Sequence, residues 1–249
     1  MNLSEGAMFI NVLIEELYET RNAGSIKVLD FGCGSGNLVK ELAAIGYDSY
    51  GCDIEASWNS ENLDATRLRL IQRNPYRLLY PDSTFDVVIS KSVLEHAKNK
   101  HTCFLEIRRV LRPGGCAIHL FPPKWYLPAE PHTFVPLLNY FYPACPRWWL
   151  SLWAWLGIRN EFQKGLHWKE VVERNLKYCA EGLSYYPNSR HQRLSMEIFG
   201  NYSSPMDMVV RLAPGRTAAA LRYLPFYKFT GWLVGELRTK MIVQRKTEI

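Results

Sequence analysis

The chain has 249 residues, of which 47% are apolar, and a formal net charge of +6. That is ample for one large α/β domain, with or without an appended subdomain, and it excludes an intrinsically disordered chain. The charge is local: up to residue 204 there are 22 Lys/Arg against 21 Asp/Glu, and from 205 onward 8 against 3, which argues against a general nucleic-acid-binding surface.

The first segment, MNLSEGAMFINVLIEELYET, has no basic stretch and carries four acids. It reads as an amphipathic helix, not a signal peptide. The sequons at Asn2 and Asn201 are then chance matches. Strand and helix signals alternate from here. IKVLDF (26 to 31) reads as a strand running into glycines, and NLVKELAAIG (37 to 46) as a helix stopped by Gly46. DSYGCDIE (48 to 55) reads as a second strand that ends on acids. STFDVVISKS (83 to 92) is a buried strand, HTCFLEIRRVLRPGG (101 to 115) an amphipathic helix with a Pro-Gly-Gly stop, and CAIHLFP (116 to 122) another strand. This alternation predicts a mostly parallel sheet with helices on both faces.

The texture changes at residue 122. Seven prolines fall between 122 and 149, too many for regular structure. They lead into WWLSLWAWLGI (148 to 158), which is apolar on every helical face except Ser151. At about half the length of a bilayer-spanning helix it is not a transmembrane segment. Its tryptophans, Trp148, Trp149, Trp153 and Trp155, are read first as subdomain core and second as a wall for an apolar acceptor or a membrane-facing surface. Residues 161 to 200 read as helical and then mixed, and MIVQ near the end offers a final strand. The six cysteines, at 33, 52, 103, 116, 145 and 179, form no CxxC pair and no Cys/His cluster at zinc-ligand spacing, so they read as reduced thiols in a cytosolic protein and no metal is expected.

The chemistry is carried by VLDFGCGSGNL (28 to 38). A strand, closely spaced glycines and a helix make a nucleotide-site arrangement, because glycine lets a ligand approach backbone that a Cβ would shield. A phosphate-binding P-loop needs GKS or GKT, whereas here the chain continues Gly36-Asn37-Leu38. A dinucleotide fingerprint needs a glycine where Asn37 stands, which counts against a nicotinamide oxidoreductase. Asp53, seventeen residues past Gly36 at the second strand's end, is placed to accept hydrogen bonds from both hydroxyls of a ribose.

The pattern Asp30-x-Gly32-x-Gly34-x-Gly36, together with GCDIE, PDSTFDVVIS, LEH (94 to 96) and LRPGG, resembles the class I S-adenosylmethionine-dependent methyltransferases, in their small-molecule, type 11-like branch. The match covers roughly residues 24 to 122. It implies an α/β, Rossmann-like, doubly wound fold with an appended aromatic-rich C-terminal subdomain. Residues 1–122 would form the S-adenosylmethionine-binding core, and 123–249 the acceptor-pocket insertion, aromatic helix and C-terminal elements completing the same domain. The resemblance implies S-adenosyl-L-methionine as cofactor, held by Asp30, Gly32, Cys33, Gly34, Gly36, Asp53, Ile54, Asn74, Pro75 and Ser90. Asn74 departs from the acid usual near adenine. The NPPY or DPPY of nucleic-acid amino-methyltransferases is absent after the fourth strand, so nucleic acid is not the expected substrate.

A general base suits a hydroxyl acceptor, and histidine is its usual form. His132, in the proline-rich loop, is the first candidate, with Glu130 to orient it. His96 is the second. His119 reads as a sheet-packing residue and His167 as a weaker candidate. Arg222, Lys228, Arg238 and Lys240, interleaved with Tyr223, Phe226, Tyr227, Phe229 and Trp232, suit anionic lipid headgroups or a lipid-linked phosphate. The expectation is an O-directed methyltransferase with a small-molecule, lipid or lipid-linked glycan acceptor, cytoplasmic and able to meet the inner face of a membrane. The rival is a methyltransferase-fold protein that binds a partner or membrane without catalysis.

Overall fold

The computed structural model describes residues 3–18, 23–55, 58, 65–72, 76–214, 220–221 and 226–247. Its centre is a six-stranded sheet in the order β3-β2-β1-β4-β5-β6. The strands are β1 (Lys27–Phe31), β2 (Asp48–Asp53), β3 (Leu68–Leu70), β4 (Phe85–Lys91), β5 (Leu111–Phe121) and β6 (Lys240–Arg245). All neighbours are parallel except β5 and β6, which run antiparallel. The expected mostly parallel sheet is thus observed, and MIVQ supplies its last strand. β4 is buried at nearly every position, as a strand covered on both faces must be.

Helices cover both faces. On one side α1 (Glu5–Tyr18), α2 (Asn37–Ile45) and α8 (Met206–Leu212) bury Ile10, Leu13, Leu42 and Val209 against Val28, Val87 and Ile118. On the other, α3 (Lys100–Val110) and α7 (Asn188–Phe199) bury Phe104, Ile107 and Phe199 against Leu29, Phe85 and Val88. Local chemistry sets the ends. Asn99 caps α3 by accepting a hydrogen bond from Thr102 N–H at 3.1 Å. Gly46 closes α2 at φ 117°, a left-handed conformation that favours glycine. The helix expected over 101 to 115 stops at Val110, because Pro113 disfavours helical backbone at the residue before it. The RPGG segment instead sits where the β4–β5 register shifts.

The proline-rich stretch is largely irregular, as expected, with one short helix, α4 (Leu138–Phe141). Beyond it α5 (Arg147–Trp155) packs on α6 (Trp168–Glu181) around a separate apolar cluster drawn from residues 135 to 185. The tryptophan run divides by helical face. Trp149 and Trp153 pack against that cluster, and Trp149 Nε1–H donates to the Pro136 carbonyl at 2.7 Å. Trp148 and Trp155 are 62% and 69% exposed. All six cysteines are free and buried. The last described helix is α9 (Tyr227–Leu237).

The division within α5 sets a contrast in stability. Leu150, fully buried in that cluster, should cost about 2–5 kcal/mol on truncation to alanine. Trp155→Ala should change stability by less than about 0.5 kcal/mol despite removing a larger side chain. Urea unfolding midpoints compare the two, and equal losses would mean that the outer face of α5 is packed.

Candidate functional site

In an open parallel sheet, ligands bind outside the carboxyl ends of the strands where the strand order reverses. Here that point lies between β1, whose continuation leads outward to β2 and β3, and β4, which leads the other way. The glycine loop follows β1 directly. Gly32 has φ 81°, and a Cβ there would lie 2.3 Å from Val93 Cγ2, so only glycine lets the loop pack under the segment after β4. Gly34 has φ 50°, and a Cβ there would meet nothing within 4 Å, so the loop's outer side is an open backbone cradle. Gly36 sits at the start of α2.

Two carboxylates flank this cradle. Asp53 ends β2; its Oδ2 accepts from Gly34 N–H at 2.7 Å and its Oδ1 from Ile54 N–H at 2.7 Å. Asp30, on β1, is buried. Burial, and then the charge of Asp53, push the Asp30 carboxyl up to about 7, with Lys91 pulling the other way. Two acids that repel each other beside an open loop make a poor seat for a pyrophosphate. They suit a ligand that offers hydroxyls and positive charge. S-adenosyl-L-methionine has both, a ribose and a sulfonium with an α-ammonium, so the cradle and its acids fit that group.

Other expected contacts fall differently. The Cys33 side chain is buried beside Val39 and Leu68, which leaves only its backbone on the loop. Ile54 is partly buried against the core cluster under α3. Ser90 is a correction: its hydroxyl is buried within the sheet, 2.7 Å from His119 Nδ1, and not turned to the loop. Asn74 and Pro75 lie outside the described residues.

A cavity of about 330 Å³ lies at the carboxyl ends of β4 and β5. Phe9 and Ile10 of α1, Leu120 and Phe121 of β5, and Tyr126 line it, together with the polar Lys91, Ser92, Glu95, His132, Arg238 and Thr239. The proline-rich loop thus turns His132 toward the ends of the strands. Glu130 is fully buried and saturated. It accepts from His132 Nδ1 at 2.8 Å, His132 N–H at 3.0 Å, Thr133 N–H at 2.7 Å, Thr133 Oγ1 at 2.9 Å and Tyr185 Oη at 3.0 Å. Burial works against the charged forms of both Glu130 and His132, and their mutual bond outweighs it, lowering the Glu130 pKa and raising that of His132. His96 joins them, its ring centroid 4.7 Å from that of His132. Burial lowers the His96 pKa, and its Nδ1 is 2.7 Å from the Gly182 carbonyl.

The three residues expected to be catalytic are therefore together. His119 is instead a sheet-packing residue, fully buried and held by Ser90 and Gln244, and burial pushes its pKa down to about 4. His167 caps α6. Sequence reading passed over Glu95, which is 1% exposed, with its pKa pushed up to about 7 by burial. Its sign in the sequence was an acid directly after Leu94 and before a histidine, in a stretch too apolar for a solvated turn. In the basic aromatic segment, Phe226, Lys228, Phe229 and Trp232 are exposed, and Phe229 stacks on Trp232. Lys240 is a correction: it is buried and paired with Glu236 at 2.8 Å. Arg222, Tyr223 and the side chain of Tyr227 lie outside the described residues. No helix among the described residues is long and apolar enough to cross a membrane.

Comparison with known proteins bears on the fold and the family. Residues 29–119 match the family model described as a methyltransferase domain. A ubiquinone biosynthesis O-methyltransferase of Maricaulis maris is 32% identical over 99 residues, which are 37% of this chain and 39% of that protein. A sterol 24-C-methyltransferase of Gibberella zeae is 29% identical over 111 residues, 40% of this chain and 29% of the relative. The chain thus spans well under half the length of these relatives. The solved structure of the YcgJ protein of Bacillus subtilis shares the fold, with a TM-score of 0.53 at 13% identity over 99% of this chain and 100% of that one. With the open glycine cradle, its two acids and the reversal of strand order, these findings identify residues 29–119 as a class I S-adenosylmethionine-dependent methyltransferase domain of the type 11-like kind.

Proposed function

We propose that the chain transfers a methyl group from S-adenosyl-L-methionine to an oxygen of a small, lipid-like acceptor. The observation that carries this reading is the pair of acids at an open glycine cradle, in a sheet whose β4 and β5 ends also carry a largely apolar cavity lined by a histidine. Asp53 and the loop backbone would hold the ribose, and buried Asp30 a cationic part of the same ligand. The bound cofactor supplies an electrophilic methyl group on a sulfonium. The chain's own part is to position the acceptor and keep water away. Phe9, Ile10, Leu120 and Phe121 do the second, and an apolar lining suits a ring or chain of lipid character. The Nδ1–H bond to Glu130 leaves His132 Nε2 as a polar group for an acceptor hydroxyl. The names of the sterol and ubiquinone-pathway relatives support the acceptor class.

A second element of the reading concerns where the acceptor is met. α9 exposes Phe229, Trp232 and Leu233 together with Lys228, a mixture suited to an anionic lipid surface. Trp148 and Trp155 of α5 are further exposed aromatics, of the kind favoured at membrane interfaces. Under this proposal the protein works at the inner face of a membrane.

Calorimetry should show S-adenosylmethionine and its demethylated product binding, with Asp53→Ala weakening both at least about tenfold through loss of charge-assisted hydrogen bonds. No binding, or binding indifferent to Asp53→Ala, removes the donor assignment. In the ligand-free protein the raised Asp30 pKa means that the native state keeps a proton which the unfolded chain gives up. Stability should therefore fall as pH rises from the ordinary carboxyl range to about 7. Asp30→Asn should flatten that fall by on the order of 2 kcal/mol between pH 5 and 8. Thermal melts across that range check it, and parallel curves for the two proteins would contradict it. Phe229→Ser with Trp232→Ser should reduce co-sedimentation with anionic vesicles at low salt. An unchanged pelleted fraction would separate α9 from any membrane contact.

A further inference from the structure

Two side chains lining the cavity, Glu95 and His132, form with the neighbouring His96 a set that hydroxyl activation by one histidine does not require. Glu95 is 1% exposed, and neither of its carboxylate oxygens has a hydrogen-bond partner among the described residues. A buried, unpaired carboxylate costs several kcal/mol unless a partner arrives, so its retention needs a reason. His96 and His132 stand beside it, and the ligating atoms of all three lie within 4.8 Å of one another. His96 Nε2 is 3.9 Å from Glu95 Oε1.

The tautomers are fixed by the outer partners. The Gly182 carbonyl can only accept, so His96 carries its proton on Nδ1; the Glu130 carboxylate accepts from His132 Nδ1 in the same way. In the neutral rings both Nε2 lone pairs are then free. A carboxylate or carbonyl behind each imidazole is the usual support for a metal-ligating histidine, because it orients the ring and makes it a stronger donor. Glu130 is itself held by Thr133 and Tyr185, so this support is rigid. The two imidazoles are each about one-third exposed, whereas the carboxylate is closed off, so a way in from solvent remains.

We propose that Glu95, His96 and His132 bind one divalent first-row transition-metal ion of the zinc type, with its remaining coordination positions facing the apolar cavity. Two imidazoles and one carboxylate with an open position is a known arrangement for catalytic zinc. Bonds of about 2.0–2.2 Å at tetrahedral angles hold two ligands of one ion roughly 3.3–3.6 Å apart. Atoms that lie within 4.8 Å of one another then close on the ion by an inward shift of about 1.2–1.5 Å at the widest pair. The ion supplies the charge that the buried Glu95 lacks. Its use rests on the methyltransferase reading: an acceptor hydroxyl on the open position loses its proton to solvent more easily beside a divalent cation. His132 is then a ligand, and the acceptor needs no separate base.

The test is titration of the chelator-stripped full chain with Zn²⁺ alone, followed by calorimetry, and with Co²⁺, followed by visible absorption. One ion per chain is expected. Glu95→Gln and His96→Ala should each weaken Zn²⁺ binding at least tenfold and abolish the Co²⁺ bands, and Glu130→Gln should weaken it about 10- to 100-fold. Far-UV circular dichroism and S-adenosylmethionine binding establish that each variant is folded. Asp53→Ala should bind Zn²⁺ like the unaltered chain while losing S-adenosylmethionine, so failure of the donor assignment and failure of the metal site are told apart. Absence of stoichiometric Zn²⁺ binding in the unaltered chain overturns the proposal, as does binding of undiminished affinity in folded Glu95→Gln and His96→Ala.

Discussion

Everything functional in this protein hangs on the parallel pairing of β1 with β4, Val28 opposite Val87 through Asp30 opposite Ile89. These strands are more than fifty residues apart, and their contact reverses the order of the sheet. The reversal splits the two chain directions at the strands' carboxyl ends, so the loop after β1 and the segment after β4 meet across one crevice. The absence of a side chain at Gly32 lets Val93 settle on the loop. Glu95 and His96 follow two and three residues after that contact. Under the proposed function, donor site and acceptor cavity would both depend on this one strand pairing.

Charge gives that crevice its selectivity. The N-terminus of α2 would by itself favour an anion. Asp30 and Asp53 work against it: one is buried, and the other is bonded to the loop amide. Under the proposed function, this balance would favour a ligand that carries hydroxyls and positive charge. On the opposite side Glu130 acts as a hub, taking five hydrogen bonds from three residues of two distant segments and fixing the direction of His132.

The donor half was legible because its signals are local. A glycine that must adopt positive φ, an acid at a strand tip and a helix stop at Gly46 each follow from a few neighbouring residues, and their order yields the topology. The acceptor half was legible only in part. His132 and Glu130 stand two residues apart, so their partnership could be read directly, and His96 came from the LEH segment. Glu95 escaped because its meaning depends on burial, which residues 120 to 185 create from far along the chain. Ser90 and Lys240 were misjudged for the same reason. A serine at a strand end looks available until His119 is seen across the strand pair, and a lysine among aromatics looks exposed until Glu236 closes on it one helical turn away. The tryptophan run was ambiguous in a different way: an all-apolar helix gives no period from which to say which face is covered.

The antiparallel β6 has a consequence for how the molecule is made. Its Gln244 bonds to His119 of β5 across 125 residues of sequence, and to Ser195 of α7. Until that distant strand arrives, β5 is an open edge of unpaired amides and carbonyls, flanked by Ile118 and Leu120, a template for any other extended chain. The protein must therefore hold its nearly finished sheet in solution while the whole aromatic segment is synthesised.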